Sequence, residues 1–489
     1  MADLNTWLLI SPELILTVFG LLIIIIDLVV REKSHCVLPR VTILGFILAI
    51  ATIPYLAADQ TIFAGMYAID KFAFFFKALG AIGGILTVLI SIDFLRTRTP
   101  AKGDFYMLLT FAVLATMMMA SSTSLLMIYL SIEFLSYMSY LLAGFLREDK
   151  KSNEAAIKYF LYGAVTSALM LYGLSLLYGI SGSLNLTDLT KLFAASSDLS
   201  VQGLGIVAFT LLLAGFGFKI SAVPFHQWAP DVYEGAPTPV VAFLSVGSKA
   251  AGFAVLLRVA LTAFPTFHSE WIALLSIVAI VTMTLGNLVA LQQKNVKRLL
   301  AYSSIAQAGY MLIGVIAANV SGNSPFMGLN GVLIYLAAYL FTNLGAFVIV
   351  VAIENATGAV EIPEYAGLVK RAPLLAGLFV IFFLSLAGIP PTVGFIGKFF
   401  VFGAALREGF LLLAAIGVIN SVISVFYYFS IIRAAFFDEP KDATAIRVPG
   451  VMTASVAICA ALVLLLAVFP QSLIDLAGIG MGMFGIARP

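Results

Sequence analysis

Residues Leu14-Ile-Leu-Thr-Val-Phe-Gly-Leu-Leu-Ile-Ile-Ile-Ile26 run without a charge, and Thr17 carries their only side-chain hydroxyl. With its flanks the run extends from Leu8 to Val30, which meets the requirement of about 20 mostly apolar residues for a helix crossing a hydrocarbon core. Asp3 precedes it in place of a basic segment, and no small-residue cleavage site follows. It therefore reads as a retained helix and not as a signal peptide. The pattern recurs along the chain. The next candidate spans are Val37–Ala57, Phe72–Phe94, Phe105–Ala120, Leu125–Leu146, Ala155–Ile180 and Gly203–Pro224. Pro237–Leu261, Trp271–Gln292, Leu299–Ala318, Leu329–Ile353, Leu374–Phe402, Phe410–Phe437 and Gly450–Phe469 follow. The expected fold class is thus an all-α polytopic membrane protein of about 14 transmembrane helices.

Composition agrees. Of 489 residues, 62% are hydrophobic and 11% charged, against about 25% charge in soluble proteins. A soluble domain of this size has too little interior to hide that much apolar surface. The formal net charge of +2 provides no basic field for nucleic acid. Cys36 and Cys459 stand apart with no metal-ligand spacing, and His35, His226 and His268 are scattered. No zinc-protease, nucleophile-elbow or phosphate-loop motif is present.

If every span crosses once, sixteen Lys and Arg of the loops fall on one side, here side B, at 31–40, 96–102, 147–151, 294–298, 370–371 and 441–447. Side A holds Lys71, Lys191, Arg407 and Arg488. Cytoplasmic loops are the positive ones. Side B is then the cytoplasm, both termini face outward, and the expected location is a bacterial inner membrane.

An internal repeat lies in this apolar background. Ser131-Ile-Glu-Phe-Leu-Ser-Tyr-Met138 is similar to Ser304-Ile-Ala-Gln-Ala-Gly-Tyr-Met311, and Leu211-Leu-Leu-Ala-Gly215 to Leu384-Ser-Leu-Ala-Gly388, both at an offset of 173. Tyr159…Thr166 and Tyr335…Thr342 match at 176. The offset is five spans, and an odd number inverts the second copy. Two inverted five-helix repeats are therefore expected, each with a broken helix. The breakers are Gly215-Phe-Gly217 with Pro224, and Gly388-Ile-Pro390-Pro391. The expected division is an N-terminal segment over 1–104, bundles over 105–261 and 262–437, and a C-terminal helix and tail over 438–489.

Seven cations fall inside the spans: Lys77, Lys158, Lys219, Lys249, Arg258, Lys398 and Arg433. A Lys or Arg at a helix centre costs about 2.5–3.5 kcal/mol on insertion scales. Arg258 and Arg433 lie near span ends, where snorkelling is expected, and Lys77 is also near an end. Lys158 follows Glu154 by four residues, so a surface ion pair is its simplest role. Lys219 and Lys398 follow the two breaks, and Lys249 lies about 18 Å into its helix among Gly247, Ser248, Ala250, Ala251 and Gly252. Each could carry protons or brace a broken helix. Glu133 is the acid of a mid-span apolar stretch and ionises beside a lysine. Together these groups suit a proton relay. Glu13 and Asp27 lie near the ends of the first span, where anchoring is expected. His226 follows the first break, as a proton carrier between the halves or a satisfied helix-end group.

Ala229-Pro-Asp-Val-Tyr-Glu-Gly-Ala-Pro-Thr-Pro-Val240, Ser248-Lys-Ala-Ala-Gly-Phe253 and Arg298-Leu-Leu-Ala-Tyr-Ser-Ser-Ile-Ala-Gln-Ala-Gly-Tyr310 resemble the subunit N family of type I NADH:quinone oxidoreductase, respiratory complex I. The resemblance covers nearly the whole chain. It implies an antiporter-like, proton-translocating membrane-arm subunit in which Glu133, Lys158, Lys219, Lys249 and Lys398 match the family's intramembrane carboxylate and lysines. It further implies that NADH, FMN, iron–sulfur clusters and quinone belong to partner subunits, with no cofactor in this chain. Its partners would be the other membrane subunits and lipid. The short tail after the last span departs from relatives that carry a long lateral helix, so no such brace is expected. The competing expectations are a subunit of a multisubunit Na⁺/H⁺ antiporter and a non-transporting scaffold.

Overall fold

A computed structural model describes residues 4–30, 34–56, 59–318, 327–440, 442 and 444–480. The loop cations Arg31, Lys33, Lys441 and Arg488 lie outside the described residues, as does the side chain of His35. The chain is helical almost throughout, as a membrane core requires, because a helix satisfies its own backbone polar groups where water is absent. In order, the helices are α1 Leu4–Leu9, α2 Ser11–Val30, α3 Ser34–Thr52, α4 Lys71–Arg98, α5 Lys102–Ser121, α6 Leu125–Ala143 and α7 Lys150–Ser181. Then come α8 Leu186–Ala195, α9 Leu199–Ile220, α10 Trp228–Gly235, α11 Thr238–Phe243, α12 Lys249–Thr262, α13 His268–Ala290 and α14 Val296–Ile316. The last are α15 Gly328–Thr357, α16 Leu368–Arg371, α17 Pro373–Ala387, α18 Val393–Arg407, α19 Leu411–Phe437, α20 Gly450–Val468 and α21 Gln471–Gly480. A two-stranded hairpin, β1 Gln60–Ile62 and β2 Tyr67–Ile69, closes one end of the bundle between α3 and α4.

Among the described residues thirteen helices are long and apolar enough to span a membrane. The expected span that is missing from this set is Leu374–Phe402. It is divided into α17 and α18, each of 15 residues, with Gly388–Thr392 between them. At 1.5 Å per residue each covers about 22 Å, short of a hydrocarbon core of about 30 Å.

Polar caps fix where several helices begin. Asp70 accepts from the Ala73 amide at the start of α4, and Asn295 from the Arg298 amide at the start of α14. Such caps satisfy amides that have no partner in the first turn. The spans differ in surroundings. The helix through α11 and α12, together with α14 and α15, is buried nearly all round, whereas α2, α7 and α20 leave most of their surface outward. The outward apolar residues, among them Leu28, Val165 and Phe426, suit lipid or neighbouring subunits as solvent.

Two sequence expectations about charge need correction here. Arg258 does not snorkel. It is 1% exposed and donates through Nη1 and Nη2 to the Asp70 carboxylate at 2.8 and 3.1 Å, and through Nε and Nη2 to the Ala120 carbonyl at 3.1 and 2.7 Å. It thus ties α12 to the starts of α4 and to the end of α5. Glu13 and Lys77 are not loose anchors either, because they form a buried ion pair at 2.8 Å. In both cases a distant partner in sequence makes burial tolerable, where an unpaired charge would strongly destabilise the fold. Arg433 is exposed, as expected of a snorkelling residue.

Candidate functional site

Three lysines occupy the interior of the bundle. Lys219, Lys249 and Lys398 are 1%, 1% and 3% exposed. Each stands beside an interruption of regular helix. α9 stops one residue after Lys219, where Ser221 adopts a left-handed conformation (φ 61°). A π-helical turn, Leu244–Ser248, immediately precedes Lys249. Such turns leave main-chain groups less tightly committed than an α-helix does. α17 ends at Gly388 (φ 84°), against which the Lys398 side chain lies. A Cβ at Gly388 would come within 2.7 Å of Lys398 Cδ, so both the backbone conformation and the contact call for glycine there.

The three ammonium groups have different partners. Lys398 Nζ donates to the Ala387 carbonyl and to Ser421 Oγ, both at 2.8 Å, and lies 4.7 Å from the Tyr310 ring centre. Lys249 Nζ donates to Ser304 Oγ at 2.6 Å and to the Ser304 carbonyl. Lys219 Nζ has no hydrogen-bond partner among the described residues, and its nearest ring, Phe218, is 5.7 Å away. Glu133, half-buried on α6, accepts from Ser167 Oγ at 2.6 Å and lies within electrostatic reach of Lys219 without bonding to it.

α14 links the lysines. Lys219 abuts α12 at Gly252, one turn beyond Lys249, where an added Cβ would meet Lys219 Cβ at 3.0 Å. Ser304 on α14 then holds Lys249 and also bonds Tyr233 OH at 3.2 Å. Further along α14, Ser303 bonds Tyr428 OH, and Gln307 bonds Tyr335 OH and the Leu386 carbonyl, while Tyr310 faces Lys398. A row of hydroxyl and amide groups therefore runs from Lys249 to the neighbourhood of Lys398. Ser304, Gln307 and Tyr310 lie in the repeated segment of the sequence. Their bridging role was not legible there, because in an apolar helix a Ser or Tyr pattern is the same whether it faces a neighbour's lysine or its own backbone.

Lys158 and His226 are placed elsewhere. Lys158 is partly exposed and pairs with Glu154 and Asp231, both at 2.7 Å. Arg298 meets Asp231 at 2.7 Å and Glu234 at 3.3 Å, and Lys151 meets Glu234 at 3.4 Å. This cluster lines a cavity of about 250 Å³ at the end of the bundle opposite the hairpin. Asp231, outside the spans, loses charge stability through burial, but the Lys158 and Arg298 cations outweigh that and hold its carboxyl below the usual carboxylate range. Next to Lys158, Tyr159 stacks on Trp228 at 4.2 Å, and Trp228 packs on Phe218, the neighbour of Lys219. His226 is half-buried in the turn between α9 and α10, and its Nδ1 has no hydrogen-bond partner among the described residues.

The arrangement sets ionisable side chains and hydroxyl groups in the interior of the bundle. Among the described residues no three His, Cys, Asp or Glu side chains are grouped to hold a metal ion. Residues 122–424, which include Glu133, Lys219, Lys249 and Lys398, match the transmembrane family described as NADH:quinone oxidoreductase/Mrp antiporter. NADH-quinone oxidoreductase subunit N of Desulforamulus reducens is 40% identical over 477 residues, covering 97% of this chain and 98% of its own. Subunit N 2 of Chloroherpeton thalassium is 44% identical, with 88% of this chain and 85% of its own covered. This chain belongs to the subunit N family of NADH-quinone oxidoreductases. A chain of respiratory complex I from Thermus thermophilus with bound aureothin superposes with a TM-score of 0.78 at 34% identity, covering 95% of this chain and 98% of that one. Membership in the family and the many apolar helices agree with the reading of a multi-pass membrane subunit.

Proposed function

We propose that this chain is a proton-translocating membrane-arm subunit of a complex I, and that Glu133, Lys219, Lys249 and Lys398 carry the protons. The observation that carries the reading is the set of Lys219, Lys249 and Lys398, each buried next to a helix interruption, with α12 between the first two and α14 between the last two. A structural lysine is satisfied by its surroundings, yet Lys219 Nζ has no hydrogen-bond partner among the described residues. The names of the curated relatives give NADH and quinone as the redox couple. On this reading the electrons pass between them in partner subunits, which hold NADH, FMN, iron–sulfur clusters and quinone. The division into residues 1–104, 105–261, 262–437 and 438–489 organises this reading, with two inverted five-helix bundles whose broken helices are α9 with α10 and α17 with α18.

Protons enter from side B, the cytoplasm of a bacterial inner membrane, where the Lys158, Asp231 and Arg298 cluster and its cavity collect them. Lys158 and His226 serve this inlet. Past Tyr159 and Trp228 the proton reaches Lys219, whose charge Glu133 stabilises. It passes to Lys249, then through the Ser304, Gln307 and Tyr428 row to Lys398, and leaves to side A, where both termini face. A change of charge near Glu133 shifts the proton affinity of Lys219 and so gates the step. Lys219→Ala and Glu133→Ala are expected to lower protons moved per NADH oxidised while leaving the complex assembled. Ordinary pumping in both variants would remove the assignment. A Na⁺/H⁺ antiporter subunit would work without peripheral redox subunits, and a scaffold would tolerate both substitutions.

A further inference from the structure

Glu13 and Lys77 take no part in the relay above. Glu13 is on the first turn of α2 and Lys77 on the second turn of α4, both near the hairpin end of the bundle. Glu13 Oε1 lies 2.8 Å from Lys77 Nζ and accepts from Tyr67 OH at 2.7 Å. Lys77 is 0% exposed and Glu13 7%. Yet the site is under-coordinated. Among the described residues Glu13 Oε2 is buried without a hydrogen-bond partner, Lys77 Nζ meets Glu13 without the angle of a directed hydrogen bond, and the buried Ser121 Oγ faces Tyr67. A second buried charge set adjoins it, because Tyr67 also senses Arg258, the partner of Asp70. Arg258 is on α12, nine residues and about 13.5 Å beyond Lys249.

An ion pair kept only to hold helices together gains by satisfying every polar atom, since each buried unsatisfied group destabilises the fold. This pair leaves Glu13 Oε2 unsatisfied, in a part of the membrane where ionisable groups are rare. A carboxylate and an ammonium at contact distance can also exchange one proton directly. We propose that Glu13, Lys77 and Tyr67 form a further proton-carrying site, which passes protons from the first bundle to the hairpin side without going through Lys398. The proposal rests on the reading that the chain translocates protons. A proton arriving from the bundle makes an O–H bond on the Glu13 carboxylate. Lys77, left without its counter-ion, breaks one N–H bond and releases that proton toward the hairpin side. The neutral pair then resets as the Glu13 O–H breaks and a Lys77 N–H forms, so one proton enters and one leaves.

The test uses the assembled complex in sealed vesicles, with Glu13→Gln, Lys77→Met, the paired Glu13→Leu/Lys77→Met, Lys219→Ala and Glu133→Ala. Protons moved per NADH oxidised are expected to fall in the first three while the complex stays assembled. A carboxyl band that shifts in D₂O in turnover infrared difference spectra is expected to vanish in Glu13→Gln. Tyr67→Phe, which keeps the pair and removes one hydroxyl, is expected to shift that band. If the uncharged pair restores ordinary pumping and no carboxyl band depends on Glu13, the pair only packs helices and the proposal falls. If Lys219→Ala lowers pumping and none of the Glu13 or Lys77 variants does, this site falls and the function proposed above stands. Ordinary pumping in both Lys219→Ala and Glu133→Ala overturns that function, and this site with it.

Discussion

Lys219 in residues 105–261 and Lys398 in 262–437 are held in opposite ways. Among the described residues Lys219 has a carboxylate within electrostatic reach and no hydrogen bond, whereas Lys398 has two hydrogen bonds, to a carbonyl and a hydroxyl. The sequence repeat aligns Glu133 with Ala306, so the second half lacks the acid at the matching position. A lysine beside a carboxylate has its charge stabilised by another charge, which a neighbouring event can remove. A lysine held by a carbonyl and a hydroxyl has a fixed environment. The first arrangement suits a switch and the second a relay point, since a pKa moves when a nearby charge changes and hardly moves when neutral dipoles stay in place.

Five substitutions can break or sharpen that contrast. The largest effect is expected at the hairpin end of the first half, where Arg258→Ala leaves Asp70 buried and unpaired. Removing one partner of such a pair costs about 3–5 kcal/mol, read as loss of assembled complex or a lower unfolding temperature. The position 173 residues on is Ile431, an apolar residue, so Ile431→Ala is expected to leave no buried charge unpaired and to cost about 2–5 kcal/mol from lost packing alone. Next is Ser421→Ala, which removes one of the two hydrogen bonds of Lys398. Bonds to charged groups are worth about 1.5–3 kcal/mol, so proton flux through the second half is expected to change, while Ser167→Ala acts on the first half through Glu133 alone. Unequal effects on the pH profile of pumping would support the switch and relay distinction, and identical profiles would count against it.

The smallest effect concerns acid. Because Asp231 is held below its ordinary value of 3.8 by Lys158 and Arg298, its ionised form stabilises the fold at neutral pH. That contribution is present above the unfolded carboxylate range and is lost as pH falls through the lower folded value. Asp231→Asn is expected to flatten the acid limb of thermal stability below about pH 4 and leave the alkaline limb unchanged. An unaltered acid limb would show that the cluster is not held by this charge.

Much of the fold was legible in the residues. Long apolar runs located thirteen of the spans, because a membrane demands length and hydrophobicity that a helix displays locally. The division of Leu374–Phe402 was announced by Gly388 and the two prolines, though hydropathy alone read through it. Lys219, Lys249 and Lys398 stood out for the same reason, as charges inside apolar runs. Their surroundings were less legible. Position in the apolar runs puts Arg258 and Lys77 near span ends and makes Glu13 an anchor. Asp231 and Glu234 stand in the sequence without visible partners.

Sequence alone therefore determined that this is a many-spanned membrane helix bundle, which segments cross and where its costly charges lie, since each of those follows from a local window of side chains. Tertiary structure decided which charges are satisfied. Arg258 meets Asp70 across 188 positions, Lys77 meets Glu13 across 64, and Lys249 meets Ser304 across 55. No local window spans such separations. The energy of a buried charge depends on what the packed helices bring within about 3 Å of it, and the folded bundle alone sets that distance.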